Sequence, residues 1–222
     1  QKLYITILAT LFMSAYAYAG SYNLGVSGSF VDINASGSET TTAGDVAGGA
    51  ANTNSTSVDN QTIIASIFAE YEMDSGMVFG FEHVPGSADV SKNVKSRSEA
   101  AQGISGTDAT GSVTRKAQAE VENLNTLYVE YPVGGYYLRV GVSQIDVNTT
   151  ENAITSSGTY GNATLDGLNL GVGLKGSLGS YFTKFSVEYT DFEDLSLTST
   201  TSNKISADLD TTEIKFAIGK SF

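Results

Sequence analysis

Eight segments of the chain alternate apolar and polar residues with a period of two. In segment 168–175, for example, every even position holds leucine or valine, and every odd position holds Asn, Gly or Lys. Successive side chains of a β-strand point to opposite faces, so this period predicts strands with one apolar and one polar face. The segments are 22–33, 62–73, 77–82, 126–131, 136–143, 168–175, 184–189 and 213–222. The pattern predicts an all-β fold.

The connections between these segments alternate between short and long. Those after the second, fourth and sixth segments contain glycine and are short, at 74–76, 134–135 and 176–180. The others are long and polar, at about 34–60, 85–120, 148–166 and 193–208. Membrane barrels have short turns at one end and long loops at the other. We therefore predict an eight-stranded antiparallel up-and-down transmembrane β-barrel, in which parts of the loops, such as 113–121, continue the strands. A soluble sandwich is the alternative fold.

A two-residue turn at Gly134-Gly135 fixes the register of the fourth and fifth strands. It places Tyr131 opposite Leu138 on the apolar face. On the polar face it places Glu130 opposite Arg139, an opposite-charge pair of the kind that stabilises neighbouring strands. Pattern and charge therefore agree on one register.

Six aromatic residues share the apolar face and lie near the short turns or the chain ends. Aromatic rings prefer the boundary between lipid and water, where the ring is in an apolar layer and a hydroxyl reaches water. We therefore predict an aromatic belt at this level. Its members are Tyr22, Tyr71, Tyr131, Tyr136, Tyr181 and Phe222.

Charged residues on the polar face are expected to point into the barrel. They are Glu70, Glu72, Glu82, Glu130, Arg139, Lys175, Lys184, Glu188, Glu213 and Lys215. An eight-stranded barrel is just wide enough for side chains to fill it, and buried charges need partners. We therefore expect a filled polar interior with a network of paired charges. The alternative is a narrow path for water or ions, gated by pairs such as Glu130–Arg139. Six glycines are assigned to the same face and expected to make room for Lys and Arg side chains: Gly28, Gly80, Gly141, Gly171, Gly173 and Gly219.

The first nineteen residues have the pattern of a secretory signal peptide. Lys2 is followed by an apolar stretch at 3–13 and by the small-x-small site Ala17-Tyr18-Ala19. We expect residues 1–19 to be a cleaved signal peptide and residues 20–222 to form the barrel of an exported protein.

Composition argues against several other functions. The net charge of −12 leaves no basic surface for nucleic acid. The chain has no Cys and only one histidine, His83, and no serine motif marks a nucleophile, so we do not expect an enzyme. The acidic stretches 191–194 and 208–210 lack the ligand spacing of a calcium loop. We expect no metal and no cofactor.

The chain ends in an alternating segment with Ile214, Phe216, Ile218, Lys220 and Phe222. This ending resembles the C-terminal strand of Gram-negative outer-membrane proteins. Lys220 departs from the pattern, because an apolar or aromatic residue is commoner there, although its amine could reach water at the membrane edge. The layout of residues 20–222 is similar to that of the small eight-stranded barrels of the porin-like superfamily: the OmpA membrane domain, OmpX and opacity-type proteins. The resemblance implies the outer membrane as location and the barrel assembly machinery as a partner that reads Phe216, Ile218 and Phe222.

Two functions follow from this interpretation. The first is a role in envelope structure and surface interaction, in which four long external loops contact an extracellular ligand or a phage. The alternative is a narrow porin-like channel for water, ions or small solutes. We expect outer-membrane lipid and lipopolysaccharide to surround a barrel that is monomeric.

Overall fold

The computed structural model of the protein describes residues 20–41, 51–91, 93, 95–100, 112–151, 159–200 and 202–222. The predicted signal peptide lies outside these ranges and stays a prediction, as does the division of the chain after residue 19. The described ranges contain ten strands, and no helix in them is long and apolar enough to cross a membrane. The strands are β1 (Gly20–Thr41), β2 (Asn52–Met73), β3 (Val78–Asp89), β4 (Lys95–Ala100), β5 (Ser112–Val133), β6 (Tyr136–Glu151), β7 (Ala163–Leu178), β8 (Tyr181–Phe192), β9 (Leu195–Thr198) and β10 (Lys204–Ser221).

Eight of these strands form a closed antiparallel ring. The order is β1-β2-β3-β5-β6-β7-β8-β10, and β10 pairs back to β1. The short strands β4 and β9 pair with β5 and β10 beyond the ends of β3 and β8, so they extend the same wall. The predicted eight-stranded up-and-down barrel is confirmed.

The register predicted from the Gly134-Gly135 turn is also confirmed. Tyr131 lies opposite Leu138, and Glu130 lies opposite Arg139. Gly134 has a φ of 62°, in the left-handed region that glycine adopts without steric cost. A two-residue turn with this conformation joins strands of normal twist, which is why the alternation continues through it.

The strands are much longer than predicted. β1 continues to Thr41 and β2 begins at Asn52, so most of the loop predicted at 34–60 is a paired hairpin. The prediction of a long irregular loop is therefore wrong for residues 34–41 and 52–60, which are paired strands. The predicted continuation of a strand at 113–121 is confirmed by β5. At about 3.3 Å per residue, the 22 residues of β1 span roughly 70 Å, against an apolar band of about 25 Å on such barrels. The wall therefore extends well beyond the band.

The outer face of the barrel carries a continuous apolar band. Its exposed side chains include Leu24, Val26, Phe30, Ile63, Ile67, Leu138, Val140, Val142, Leu168, Leu170, Val172, Leu174, Phe185, Val187, Ile214, Phe216 and Ile218, each 42–80% exposed. Soluble proteins rarely expose apolar patches larger than a few hundred Å². The band is therefore the surface that faces lipid.

The six aromatic residues of the predicted belt are not all alike. Tyr131, Tyr136, Tyr181 and Phe222 are 51–67% exposed at the short-turn end of the band. Tyr71 differs, because it is buried to 8% exposure and its ring packs on the half-buried Tyr22, with centroids 5.3 Å apart. The position of this belt at a lipid boundary stays a prediction.

The terminal residues lie on the outer face, as their alternation requires. Phe216, Ile218 and Phe222 are 47–67% exposed. The Lys220 amine lies 4.9 Å from the ring centroid of Phe222 and 5.9 Å from that of Tyr181. A cation over aromatic rings is attracted to their faces, which gives this unusual lysine a partner at the rim.

Aromatic rings, not long cations, cover most of the inward glycines. A Cβ added at Gly80 would collide with the ring of Tyr128, and one at Gly219 would collide with Phe182. Gly173 is covered in the same way by Tyr137. The expectation that these glycines make room for Lys and Arg is therefore wrong for these three positions. The assignment of Gly28 to the inner face is also wrong, because Gly28 shares the outer face with Val26.

Candidate functional site in the barrel lumen

The lumen has two parts of opposite character. Near the short turns, the inward positions of the strands carry charged and hydrogen-bonding side chains. Toward the long-loop end, the inward positions are mostly apolar. We call these parts the charged section and the apolar chamber.

The lower layer of the charged section centres on Lys184. Its amine contacts the carboxylate of Glu70 and lies 2.6 Å from Glu130 Oε2. The hydroxyl of Tyr128 donates to Glu70 Oε1 at 2.7 Å. Below this layer, Lys175 pairs with Glu72 at 2.5 Å, where both side chains are about a quarter exposed.

The upper layer centres on Arg139 and Lys215. Arg139 NH2 lies 2.6 Å from Glu82 Oε2, and Arg139 Nε lies 3.4 Å from Glu188 Oε2. Lys215 Nζ lies 2.8 Å from Glu82, 3.2 Å from Glu188 and 3.4 Å from Glu213. The guanidinium carbon of Arg139 stands 3.6 Å above the centroid of the Tyr128 ring. Glu82 and Glu188 each contact cations from two other strands, whereas Glu213 pairs with a lysine on its own strand.

Most of these contacts reach over intervening strands. Lys184 on β8 contacts Glu70 on β2, and Lys215 on β10 contacts Glu82 on β3. Glu70, Glu82 and Lys184 are at most 5% exposed. The charged side chains therefore tie opposite walls together and fill this part of the lumen.

The predicted pair Glu130–Arg139 is adjacent in register but loosely paired. Arg139 NH1 lies 4.0 Å from Glu130 Oε1, beyond hydrogen-bond distance. Among the described residues, no donor satisfies this buried oxygen. Sequence reasoning identified the ten inward charges but not their partners, because register predicts neighbours along the wall and not contacts across the lumen.

The apolar chamber departs from the expected polar interior. Its buried side chains are Val31, Ile33, Val90, Val121, Ile145, Val147, Leu165, Phe192, Leu195 and Leu209. Most of these residues lie beyond the strand ends that the sequence predicts. The expectation of a polar interior is therefore wrong for the upper lumen, because inward residues there were assigned to loops.

A cavity of about 210 Å³ lies where the chamber meets the charged section. Its apolar wall includes Val31, Ile33 and Ile145, and its floor includes Glu213 and Lys215. An apolar cavity of about 150 Å³ is large enough to hold benzene. The cavity therefore has the size for a small organic molecule.

The barrel wall beside this cavity is interrupted. The pairing of β2 with β3 ends at Ile67 and His83. Just above, the register of β3 against β5 shifts, and Pro85 and Gly86 stand in the irregular segment. Proline has no N–H for a neighbouring strand, and Gly86 has a φ of 94° that favours glycine. We call this gap between β2 and β3 the wall slot.

The wall slot is connected to the cavity. Residues on both of its sides, including Ala65 on β2 and Ser87 on β3, line the same cavity as Ile145. Farther up, the Asn60 side chain donates to the Asp89 carbonyl oxygen at 2.7 Å and bridges the two strands again. Pro85-Gly86 was the sequence signal for the slot, because proline within a strand marks an unpaired edge.

Little in the described residues suggests catalysis or metal binding. The ring Nδ1 of His83 lies 2.9 Å from Asn125 Oδ1 on the outer face. No group of three or more His, Cys, Asp or Glu residues in the described ranges is arranged to hold a metal ion. The lumen, with its charged section, apolar chamber and cavity, is the candidate site.

Comparison with known proteins shows which solved structures have a similar fold. No protein-family model matches the chain, and no curated protein sequence matches it. Among solved structures, the outer membrane protein OprG from Pseudomonas aeruginosa is 14% identical, with a TM-score of 0.52, over 92% of this chain and 97% of that chain. AlkL, solved in lipid bilayers, is 19% identical with a TM-score of 0.45, over 92% and 91% of the two chains. Neisserial surface protein A is 9% identical with a TM-score of 0.36, over 87% and 97%.

The closed ring, the apolar outer band and the structural similarity to OprG all indicate the same class of protein. The chain has the fold of the small eight-stranded outer-membrane β-barrel proteins.

Proposed function

We propose that this barrel takes small apolar molecules from outside the cell into the apolar chamber and releases them through the wall slot into the membrane. The single observation that carries the proposal is the cavity of about 210 Å³, which touches the chamber, the charged section and both sides of the slot. A molecule in the chamber could therefore leave sideways, through the wall slot.

The charged section supports lateral release over passage straight through the barrel. Its carboxylates and cations are buried and contact each other across the lumen. Separating a buried ion pair leaves a charge without a partner, which costs about 3–5 kcal/mol. A small apolar molecule has no interaction that compensates for this cost. Because passage would require these buried ion pairs to open, the narrow channel for water or ions, considered from the sequence, is disfavoured as well.

The slot also suits an apolar molecule. It opens in the wall next to Ile63 and Ile67, which are 80% and 56% exposed in the apolar band. A molecule that leaves through the slot therefore moves from an apolar chamber to an apolar surface. Transfer between two such environments leaves little apolar area exposed to water at any step.

The proposed setting is the outer membrane of a Gram-negative bacterium, reached by export through residues 1–19. There we propose outer-membrane lipid and lipopolysaccharide as surroundings, the barrel assembly machinery as the partner for insertion, and a monomeric barrel. We propose no enzymatic activity.

A role in surface interaction is a second candidate, and one observation favours it. Strands β1 and β2 are paired from Gly20 and Met73 to Thr41 and Asn52 and extend beyond the apolar band with Ser, Thr and Asn residues. A rigid polar wall of this kind can present a surface to an extracellular ligand or a phage. Shortening the hairpin between residues 36 and 57 would then reduce phage adsorption or surface binding. Unchanged adsorption and binding would count against this role.

The test of the main proposal is uptake by cells. Cells that make the protein are expected to take up toluene faster than cells without it. Ile145→Trp fills the chamber and is expected to remove the gain. Val142→Trp, a matched change on the outer face of the same strand, is expected to keep it. Heat-modifiable gel mobility checks that both variants fold. Equal uptake with and without the protein would contradict the proposal.

A further inference from the structure

Glu213 lies at the boundary between the charged section and the apolar chamber. Its cross-strand neighbours are Val31 on β1 and Glu188 on β8. It also lines the cavity that Val31 lines. The Glu213 carboxylate therefore lies beside the apolar side chains of the chamber and the charged side chains below them.

The upper layer of the charged section contains one carboxylate more than it has cations. Glu82, Glu188 and Glu213 face the two cations Arg139 and Lys215. Glu82 lies within 2.8 Å of both cations, and Glu188 lies within 3.4 Å of both. Lys215 is the cation that pairs with Glu213, and at 3.4 Å this is the longest of its three contacts. The surplus negative charge therefore falls on Glu213.

The surplus charge is also in an unfavourable position. Glu213 and Glu188 are directly opposite on neighbouring strands, and like charges in that position destabilise a sheet. A partly buried negative charge that shares its one cation with two other carboxylates is costly. A positive charge placed beside Glu213 would relieve both effects.

Glu213 is the member of this layer that a ligand reaches most easily. Its side chain is 13% exposed, against 6% for Glu82 and 1% for Glu188. A hydrogen bond between an ammonium group and a carboxylate is stronger than one between neutral groups. The exposed edge of Glu213 and the apolar wall above it together form two halves of one binding site.

We propose that, among small and mostly apolar molecules, the chamber prefers those that carry one amine, in which the ammonium group binds Glu213 and the apolar body packs against Val31, Ile33 and Ile145. This inference rests on the proposed function, because it names the class of molecule that the same chamber binds. The cavity of about 210 Å³ limits the body to about the size of one aromatic ring.

The test compares three probes of one shape: benzylamine, benzyl alcohol and benzoate. Their binding is measured by NMR titration on the full barrel in lipid nanodiscs at neutral pH. Benzylamine is expected to bind about tenfold more tightly than benzyl alcohol, since a tenfold ratio is 1.4 kcal/mol. Benzoate is expected to bind most weakly, because its charge repels that of Glu213.

The variant Glu213→Gln is expected to bind benzylamine and benzyl alcohol with equal affinity. The matched control is Asp210→Asn, an acid three residues away on the outer face of the same strand, which is expected to keep the preference. Gel mobility verifies the folding of both variants. The inference is overturned if the unchanged barrel binds the amine no more tightly than the alcohol, or if Glu213→Gln keeps the preference. A barrel that binds none of the probes contradicts the proposed function itself.

Discussion

Arg139 on β6 reaches over β5 to Glu82 on β3, where its NH2 group lies 2.6 Å from Glu82 Oε2. Both side chains are nearly fully buried, at 4% and 6% exposure. Two strands that are not neighbours in the wall are thereby connected through the lumen. The closed lower half of the barrel depends on contacts of this kind.

Removing Arg139 is expected to destabilise the barrel strongly. Arg139→Ala leaves Glu82 and Glu188 with Lys215 as their shared cation, and a buried charge without its partner costs about 3–5 kcal/mol. Urea unfolding in lipid vesicles, followed by gel mobility, measures the free energy of unfolding. Lys220→Ala at the rim is the control and is expected to cost less than about 1 kcal/mol, because it removes only partly exposed cation–π contacts. Similar losses in the two variants would show that the lumen network does not hold the barrel together.

Glycines beneath aromatic rings are expected to tolerate no side chain. Gly80→Ala places a Cβ against the Tyr128 ring, and forcing that ring away is expected to cost about 1–3 kcal/mol. Gly28→Ala on the outer face has open space around the added Cβ and serves as the control. The same unfolding assay compares them. An equal effect at both positions would refute the steric explanation.

A pair of acids outside the apolar band is expected to make stability depend on pH. Protonated Asp194 donates a hydrogen bond to Asp208, and this bond and the negative charge of Asp208 raise the pKa of Asp194 above the ordinary value. Because the pKa is raised on folding, the shared proton stabilises the folded state at low pH, below about 3.9, and this contribution is lost as the pH rises through the raised pKa. Asp194→Asn removes the repulsion at neutral pH. Its thermal midpoint is expected to exceed that of the unchanged barrel near pH 7 but not near pH 3. A gain of the same size at both pH values would contradict the shared proton.

The lower half of the barrel was predictable from the sequence. The alternation in 168–175 and the Gly134-Gly135 turn predicted strands, faces and register correctly, because lipid outside and polar groups inside give the two faces unlike residues. The ten inward charges followed from the same alternation. Their partners did not, because Lys184 and Glu70 meet across the lumen and no local pattern encodes that contact.

The upper half was predicted less well, and the reason is physical. Beyond the apolar band the outer face meets water, so the outward positions of β1 and β2 are Ser, Thr, Asn, Asp and Gln, and the alternation weakens. Segments of this composition are typical of loops. Only the inward apolar residues, such as Ile33 and Ile145, therefore still indicated a strand in this part of the sequence. The wall slot, in contrast, had a local signal in Pro85-Gly86.

The central claim is that a small apolar molecule occupies the chamber, and the most direct measurement is NMR contact between bound toluene and methyl groups of the barrel in lipid nanodiscs. Toluene dissolved in the lipid reaches outward methyls such as those of Val142 in any case. Our account predicts additional contacts to the inward methyls of Val121 and Ile145, and their loss in a chamber filled by Ile33→Trp. Contacts to outward methyls alone would contradict it.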